Sequence, residues 1–225
     1  MSGEKSDQET DAPASASRRR PPSLVVGIGA SAGGLAAFRS FFDNMPADTG
    51  MAFVLVQHLD PDHKSLLVDL LRPHTAMEVV EAQDQVELVP NQIQVIPPNA
   101  TLTLEGDVLR VSTPVPAREY RRPIDTFFAS LAESQEDCAV GIILSGVGSD
   151  GSLGVKAIKE YGGTALVLHP EDAAKPFIPR AAIAAGHPDG CLPVQKIVRF
   201  VCSYGTRYRT LPAGFLPWRA TQEVP

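Results

Sequence analysis

The chain has 225 residues, of which 44% are apolar and 20% charged, and a formal net charge of −6. That is enough chain to bury a substantial core, and the composition is that of an ordinary globular protein. The mildly acidic balance argues against broad nucleic-acid binding, which needs a basic surface, and no apolar run approaches the roughly 18–20 residues of a membrane span.

Residues 1–22 are polar and end in Arg18-Arg19-Arg20-Pro21-Pro22. They hold too few large apolar groups to offset the entropy of ordering, so a disordered tail is expected, its arginines read as solvated. The pattern changes at Leu24. One domain is expected over residues 23–205, with residues 206–225 as a C-terminal extension. No hydrophobic signal core opens the chain, which points to the cytoplasm. Cys138, Cys191 and Cys202 are odd in number and far apart, which suggests neither a disulfide framework nor a zinc site.

Leu24–Gly29 is a nearly all-apolar run closed by glycines, as expected of a buried parallel strand. A helix over residues 33–44 places Leu35, Phe38, Phe41 and Phe42 on one face. Residues 52–59 form a second buried strand, and Asp62 is the expected cap of a helix through Leu66, Leu67 and Leu70. Residues 77–82 and 93–96 are further strands, and the alternation of 101–105 and 108–112 around Gly106-Asp107 predicts a hairpin. Pro123 opens a helix with Ile124, Phe127, Phe128 and Leu131 inward. A strand at 139–144, a helix at 151–161, a strand at 164–169 and helices at 179–185 and 194–204 complete the reading. The fold class is therefore α/β: a three-layer α/β/α domain with a mostly parallel, doubly wound sheet and an antiparallel hairpin at one edge.

Such sheets bind ligands beyond the carboxyl ends of their strands, so chemistry is sought there. Gly29-Ala30-Ser31-Ala32-Gly33 fits a G-x-S-x-G nucleophile elbow, in which small neighbours expose a serine hydroxyl on a sharp strand-to-helix turn. The same glycines, Gly27 and Gly29, also fit a dinucleotide fingerprint. That reading expects an acidic residue at the end of the second strand, where the chain has Gln57-His58-Leu59. His58 at that strand end reaches Ser31 if the two strands are neighbours. Asp150 lies in the glycine-rich loop Ser145–Gly151, as the cap of the helix that follows it, as a carboxylate that orients an imidazole, or as both, since a cap position fixes an aspartate well. Ala32, Val147 and Gly148 are the candidate backbone donors to an oxyanion.

Other residues invite plainer readings. His63 and His74 are expected at the surface, and His169 is a lesser alternative base. Asp60, Asp62 and His63 are explained by loop and cap roles without a metal. Arg121 and Arg122 are read as solvated charges or as contacts for an acidic partner helix.

Residues 24–193 resemble the catalytic domain of chemotaxis protein-glutamate methylesterases (CheB-type), most closely those fused to receptor methyltransferases. The similarity is carried by VVGIGASAGG (25–34), FVLVQHLDPDHKSLL (53–67), VIPPN (95–99), RRPIDTFFASLA (121–132), GIILSGVGSDGSLGVKAIKEYGG (141–163) and PRAAI (179–183). It implies hydrolysis of γ-glutamyl methyl esters on the cytoplasmic helices of chemoreceptors, together with glutamine deamidation. It further implies Ser31 as nucleophile, His58 as base, Asp150 as third member, and no metal or organic cofactor. A receptor methyltransferase is the second partner it suggests.

The chain departs from the family pattern at Ala32, where Thr is common, and at Val147, where Met is common. It also lacks the usual Gly-Met before Pro179-Arg180. No receiver domain precedes the catalytic segment in this sequence, so constitutive activity is expected. A receptor-docking module without turnover and a nucleotide-binding oxidoreductase are the alternatives.

Overall fold

The computed structural model describes residues 21–58, 66–113 and 122–209. Strand β1 (Val25–Ala30) leads into helix α1 (Gly34–Asp43), and β2 (Ala52–Gln57) into the short α2 (Leu67–Leu71) with a 3-10 turn over Arg72–His74. Strands β3 (Glu78–Glu81), β4 (Val86–Glu87), β5 (Gln92–Val95), β6 (Thr101–Glu105) and β7 (Val108–Ser112) follow. Then come α3 (Pro123–Gln135), β8 (Ala139–Ile143), α4 (Ser152–Glu160), β9 (Thr164–Leu168), α5 (Phe177–Gly186), β10 (Gly190–Leu192) and α6 (Val194–Arg209).

Seven strands, all parallel, form the main sheet in the order β10-β9-β8-β1-β2-β5-β3. The period of two along each central strand sorts its side chains between two cores. Val26, Ile28 and Ala30 of β1 join Phe53, Leu55, Val140 and Ile142 beneath α1 and α6, packed on Phe38, Phe41, Phe42, Ile197 and Val201. Val25, Val54, Val56 and Ile143 face α3, α4 and α5 through Ile124, Phe127, Phe128, Val155 and Ile178. Both faces of β1 and β8 are buried, which is why these strands read as continuous apolar runs. Burying each phenylalanine of α1 stabilises the fold by about 1.5–3 kcal/mol.

The predicted hairpin forms with its expected bounds. It does not extend the main sheet: β4 joins it in a separate three-stranded sheet, β4-β7-β6. That sheet is fastened to α3, where Leu104 N–H donates to Ser130 Oγ at 3.0 Å and Gln135 Nε2 donates to the Gly106 carbonyl at 2.6 Å.

Other differences from the sequence reading are local. Strands β4 and β10 were not anticipated, because two and three residues are too few to display a period. Helix α5 starts at Phe177, two residues before the expected Pro179; a proline fits there because the first turn has no intrahelical N–H bonds to lose. Helix α6 continues to Arg209, past the expected domain boundary. Asp62 and most of the N-terminal tail lie outside the described residues, although Pro22 is buried.

The chain order reverses at β1: β2 lies on one side and β8 on the other. The crevice beyond the ends of β1 and β8 is therefore the topological switch point, where open α/β sheets place their ligands.

Candidate functional site

Ser31 is the first residue after β1, and His58 the first after β2. The two strands are neighbours, with Ala30 paired to Gln57, and His58 N–H donates to the Ala30 carbonyl at 3.3 Å, extending the ladder by one step. Ser31 N–H donates to the Ser145 carbonyl at 3.0 Å, so the elbow is tied on its other side to the end of β8. The turn into α1 is made at Gly33, whose φ of 81° lies in the left-handed region that glycine tolerates. Ser31 is half-buried and Ala32 exposed.

His58 Nε2 lies 2.7 Å from Asp150 Oδ2, with the histidine 34% and the aspartate 7% exposed. Asp150 does not cap the helix that follows it. Gly151 occupies that position, with φ of 94° and no side-chain cap. The Asp150 carboxylate instead caps α3, accepting Ile124 N–H on Oδ2 and Asp125 N–H on Oδ1, each at 3.0 Å. Gly151 N–H adds a further bond to Oδ1 at 2.9 Å. Burial alone would raise the Asp150 pKa. The hydrogen bond from His58 and those from the Asp125 and Ile124 amides outweigh that burial and hold it below the usual carboxylate value. The site thus contains a carboxylate held ionised and fixed against an imidazole, one strand from a serine on a tight turn.

Among the described residues, no hydrogen bond engages the N–H of Ala32, Val147 or Gly148, whereas that of Gly146 is used by the Lys175 carbonyl at 2.9 Å. No hydrogen bond from the Ser31 hydroxyl to His58 is formed among the described residues. A cavity of about 240 Å³ lies beside the elbow, against Gly33, Ser145, Leu168 and Asp172. A second, of about 30 Å³, adjoins His58 and is lined by Gln57, Ile96, Pro97, Asn99 and Pro123. The side-chain oxygens of Gln57 and Asn99 are buried without a partner among the described residues.

These features place the chain. The sequence profile of the CheB methylesterase family matches residues 26–201. The chain belongs to that family. A crystal structure of the Thermotoga maritima CheB methylesterase catalytic domain has the same fold, with a TM-score of 0.73 and 26% identity, over 80% of this chain and 98% of that one. A putative protein-glutamate methylesterase/protein-glutamine glutaminase of Leptospira interrogans is 34% identical over 77% of this chain and 90% of its own length. The Moorella thermoacetica protein-glutamate methylesterase/protein-glutamine glutaminase is 34% identical over 80% of this chain. Here the chain spans only 43% of the relative. It spans 14% of a 104.1 kDa protein of Rhodobacter capsulatus that is 41% identical over 138 residues.

The CheB-type fold disposes of the dinucleotide fingerprint. Gly27 and Gly29 lie inside β1, facing α3 and not a ligand. A Cβ at Gly27 would fall 2.9 Å from Leu131 and Phe127, and one at Gly29 2.5 Å from Ile124. His169, the lesser alternative base, lies after β9, two strands from β1, and accepts Glu171 N–H through Nδ1 at 3.4 Å. His74 pairs with Asp43 at 2.9 Å. Asp60, Asp62, His63 and Arg121 lie outside the described residues, and no metal-binding cluster occurs among the described ones. No described helix is long and apolar enough to cross a membrane.

Sequence reasoning missed Gln57 and Asn99, because a lone amide at a strand end carries no pattern. It left Arg122 as a solvated or receptor-facing charge. In the structure Arg122 Nε lies 2.6 Å from Asp125 Oδ2.

Proposed function

We propose that the chain hydrolyses γ-glutamyl methyl esters on methylated chemoreceptors, with Ser31 as nucleophile, His58 as general base and Asp150 as the group that orients the base. The observation that carries this reading is the 2.7 Å His58–Asp150 contact beside the Ser31 elbow. The names of the Leptospira and Moorella relatives supply the reaction class.

An ionised Asp150 accepts from Nε2, so that nitrogen carries the proton and Nδ1 presents its lone pair. This reverses the use of the two ring nitrogens in the Ser-His-Asp proteases. Ser31 Oγ attacks the ester carbonyl carbon as His58 takes the hydroxyl proton. The negative oxygen of the tetrahedral intermediate is met by the backbone N–H groups of Ala32 and of Val147 or Gly148, near the positive end of α1. Collapse breaks the bond to the methoxy oxygen, which leaves as methanol with the proton from His58. Water then attacks the acyl-Ser31 carbonyl, gives its proton to His58, and releases the glutamate side chain with Ser31 restored. With glutamine as substrate, the same steps release ammonia, the basis for the deamidase activity proposed alongside.

The substrate proposed is a cytoplasmic receptor helix, and a receptor methyltransferase is the companion that would install the esters. No membrane insertion and no nucleic acid are required, and the proposed location is the cytoplasm. The test is methanol release from a methylated receptor fragment, with labelling by a serine-directed phosphonate. Labelling at Ser31 and stoichiometric methanol are expected. A folded chain that releases none and does not react at Ser31 is the docking module instead.

A further inference from the structure

The N-termini of α3 and α4 are capped reciprocally. Asp150, just before α4, accepts the Ile124 and Asp125 amides that open α3. Asp125, in the first turn of α3, accepts the Gly154 amide of α4 through Oδ1 at 2.7 Å. Gly154 allows this approach: a Cβ there would fall 2.6 Å from Phe128 Cβ and 3.2 Å from Asp125 Cα. The exchange brings two buried carboxylates together, and one cation serves both. Arg122 Nε lies 2.6 Å from Asp125 Oδ2, as an ion pair rather than an aligned hydrogen bond, and 4.0 Å from Asp150 Oδ1. Arg122 Nη2 also donates to the Ser149 carbonyl at 3.0 Å, clasping the loop that carries Asp150.

We propose that Arg122 and Asp125 are positioning residues that act through Asp150 on His58, Arg122 favouring the free base and Asp125 favouring its protonated form. The proposal rests on the reading of His58 as the base. The arrangement requires opposite effects. Two carboxylates in contact cannot both stay ionised without a counter-charge. Asp125 is already pushed up by burial and by the Asp150 charge, against the Gly154 amide and Arg122. A cation close to Asp150 opposes protonation of the His58–Asp150 pair, and an anion there promotes it.

Among the described residues, few other charges compete. The strand ends around His58 bring the uncharged Ser31, Gln57, Pro97 and Asn99, and α4 opens with Ser152 and Leu153. The segment between β9 and α5 brings Glu171, Asp172 and Lys175, and α5 brings Arg180, all exposed to solvent. None of these forms an ion pair with Asp125 or Asp150 among the described residues, whereas Arg122, itself 42% exposed, lies against both carboxylates, which are buried.

The test uses the full chain as wild type, Arg122→Gln, Arg122→Lys, Asp125→Asn and the double variant Arg122→Gln/Asp125→Asn. Two readouts are followed against pH: the ring resonances of His58, assigned with His58→Gln, and kcat/KM for ester hydrolysis. In Arg122→Gln the ring midpoint and the acid limb of the rate profile should both move to higher pH, by roughly half a unit to one unit. In Asp125→Asn both should move to lower pH by a similar amount. Arg122→Lys keeps the charge and should stay within roughly a few tenths of a unit of wild type, as should the double variant. Shifts of the same sign in the two single variants, or none in either while circular dichroism stays native, overturn the proposal. A wild type without esterase activity sinks the enzyme reading instead, and the ring resonances then decide the coupling alone.

Discussion

Ser31 and His58 leave neighbouring parallel strands at the same level, each one residue past the last paired position, Ala30 opposite Gln57. The proposed nucleophile and base thus share one backbone ladder, so strand register sets the level at which they face each other. Residues that act as a unit are not additive. Ser31→Ala and His58→Ala should each lower kcat for methanol release by a factor on the order of 10⁴ or more, and the double variant should be no slower than either. Multiplying losses in the double variant would mean that the two side chains work independently.

Asp150→Asn should cost stability as well as activity. The carboxylate accepts from His58, Ile124, Asp125 and Gly151, and an amide group turns one of its oxygens into a donor facing donors. Leaving a buried N–H unmet costs about 1–3 kcal/mol. The pH dependence follows from the direction of the shift. The folded pKa lies below the ordinary carboxylate value of 3.8, so the ionised group stabilises the fold above that value and loses this contribution as pH falls through the lower folded one. Thermal melts should show the gap between wild type and Asp150→Asn narrowing below about pH 3.8. Asp125 runs the other way. Its folded pKa is raised, so its contribution is fully present below 3.8 and fades as pH rises through the folded value.

Much of this was legible in the sequence because the central strands are buried on both faces and glycine-punctuated. Ser31, His58 and Asp150 each follow such a run, and a parallel sheet brings such endings to one rim. The cap exchange was not legible. A sequence shows an aspartate before α4, and the local rule assigns it to that helix. Its carboxylate serves α3 because the turn at Gly151 directs the chain so that α3 and α4 begin side by side, a tertiary relation with no period or spacing to announce it. Arg122 was undervalued for the same reason: its partner is close in sequence, but the carboxylate that gives the pair meaning is 28 residues away.

Gly29→Ala tests whether the glycines of β1 serve packing. A Cβ there would fall 2.5 Å from Ile124 Cγ2 and 3.2 Å from Ile143 Cδ1, inside the core beneath α3. Overpacking of this kind costs about 1–3 kcal/mol. Because Ile124 N–H is also bonded to Asp150, the displacement should reach the site. The variant should melt lower and turn over more slowly. An unchanged melting temperature would mean that α3 moves off the sheet without loss.

Gly146→Ala should disable the site with less damage to the fold. Gly146 N–H donates to the Lys175 carbonyl at 2.9 Å, and its own carbonyl accepts Ile178 N–H at 3.1 Å, so the residue is held at both ends by the segment entering α5. A Cβ on this fixed backbone would fall 2.4 Å from Ile178 Cδ1 and 2.9 Å from Ser31 Cβ. The isoleucine terminus can rotate away. Ser31 cannot retreat as easily, because its N–H is bonded to the Ser145 carbonyl and its own carbonyl to Gly34 N–H. The clash is therefore relieved mainly by moving the serine. A displacement of about 1 Å at a nucleophile costs roughly 10² in rate. Kinetics should show kcat lowered by about that factor, with a stability loss of about 1 kcal/mol, at the low end for overpacking. Retention of full kcat would show that the loop beside Ser31 does not set the position of the nucleophile.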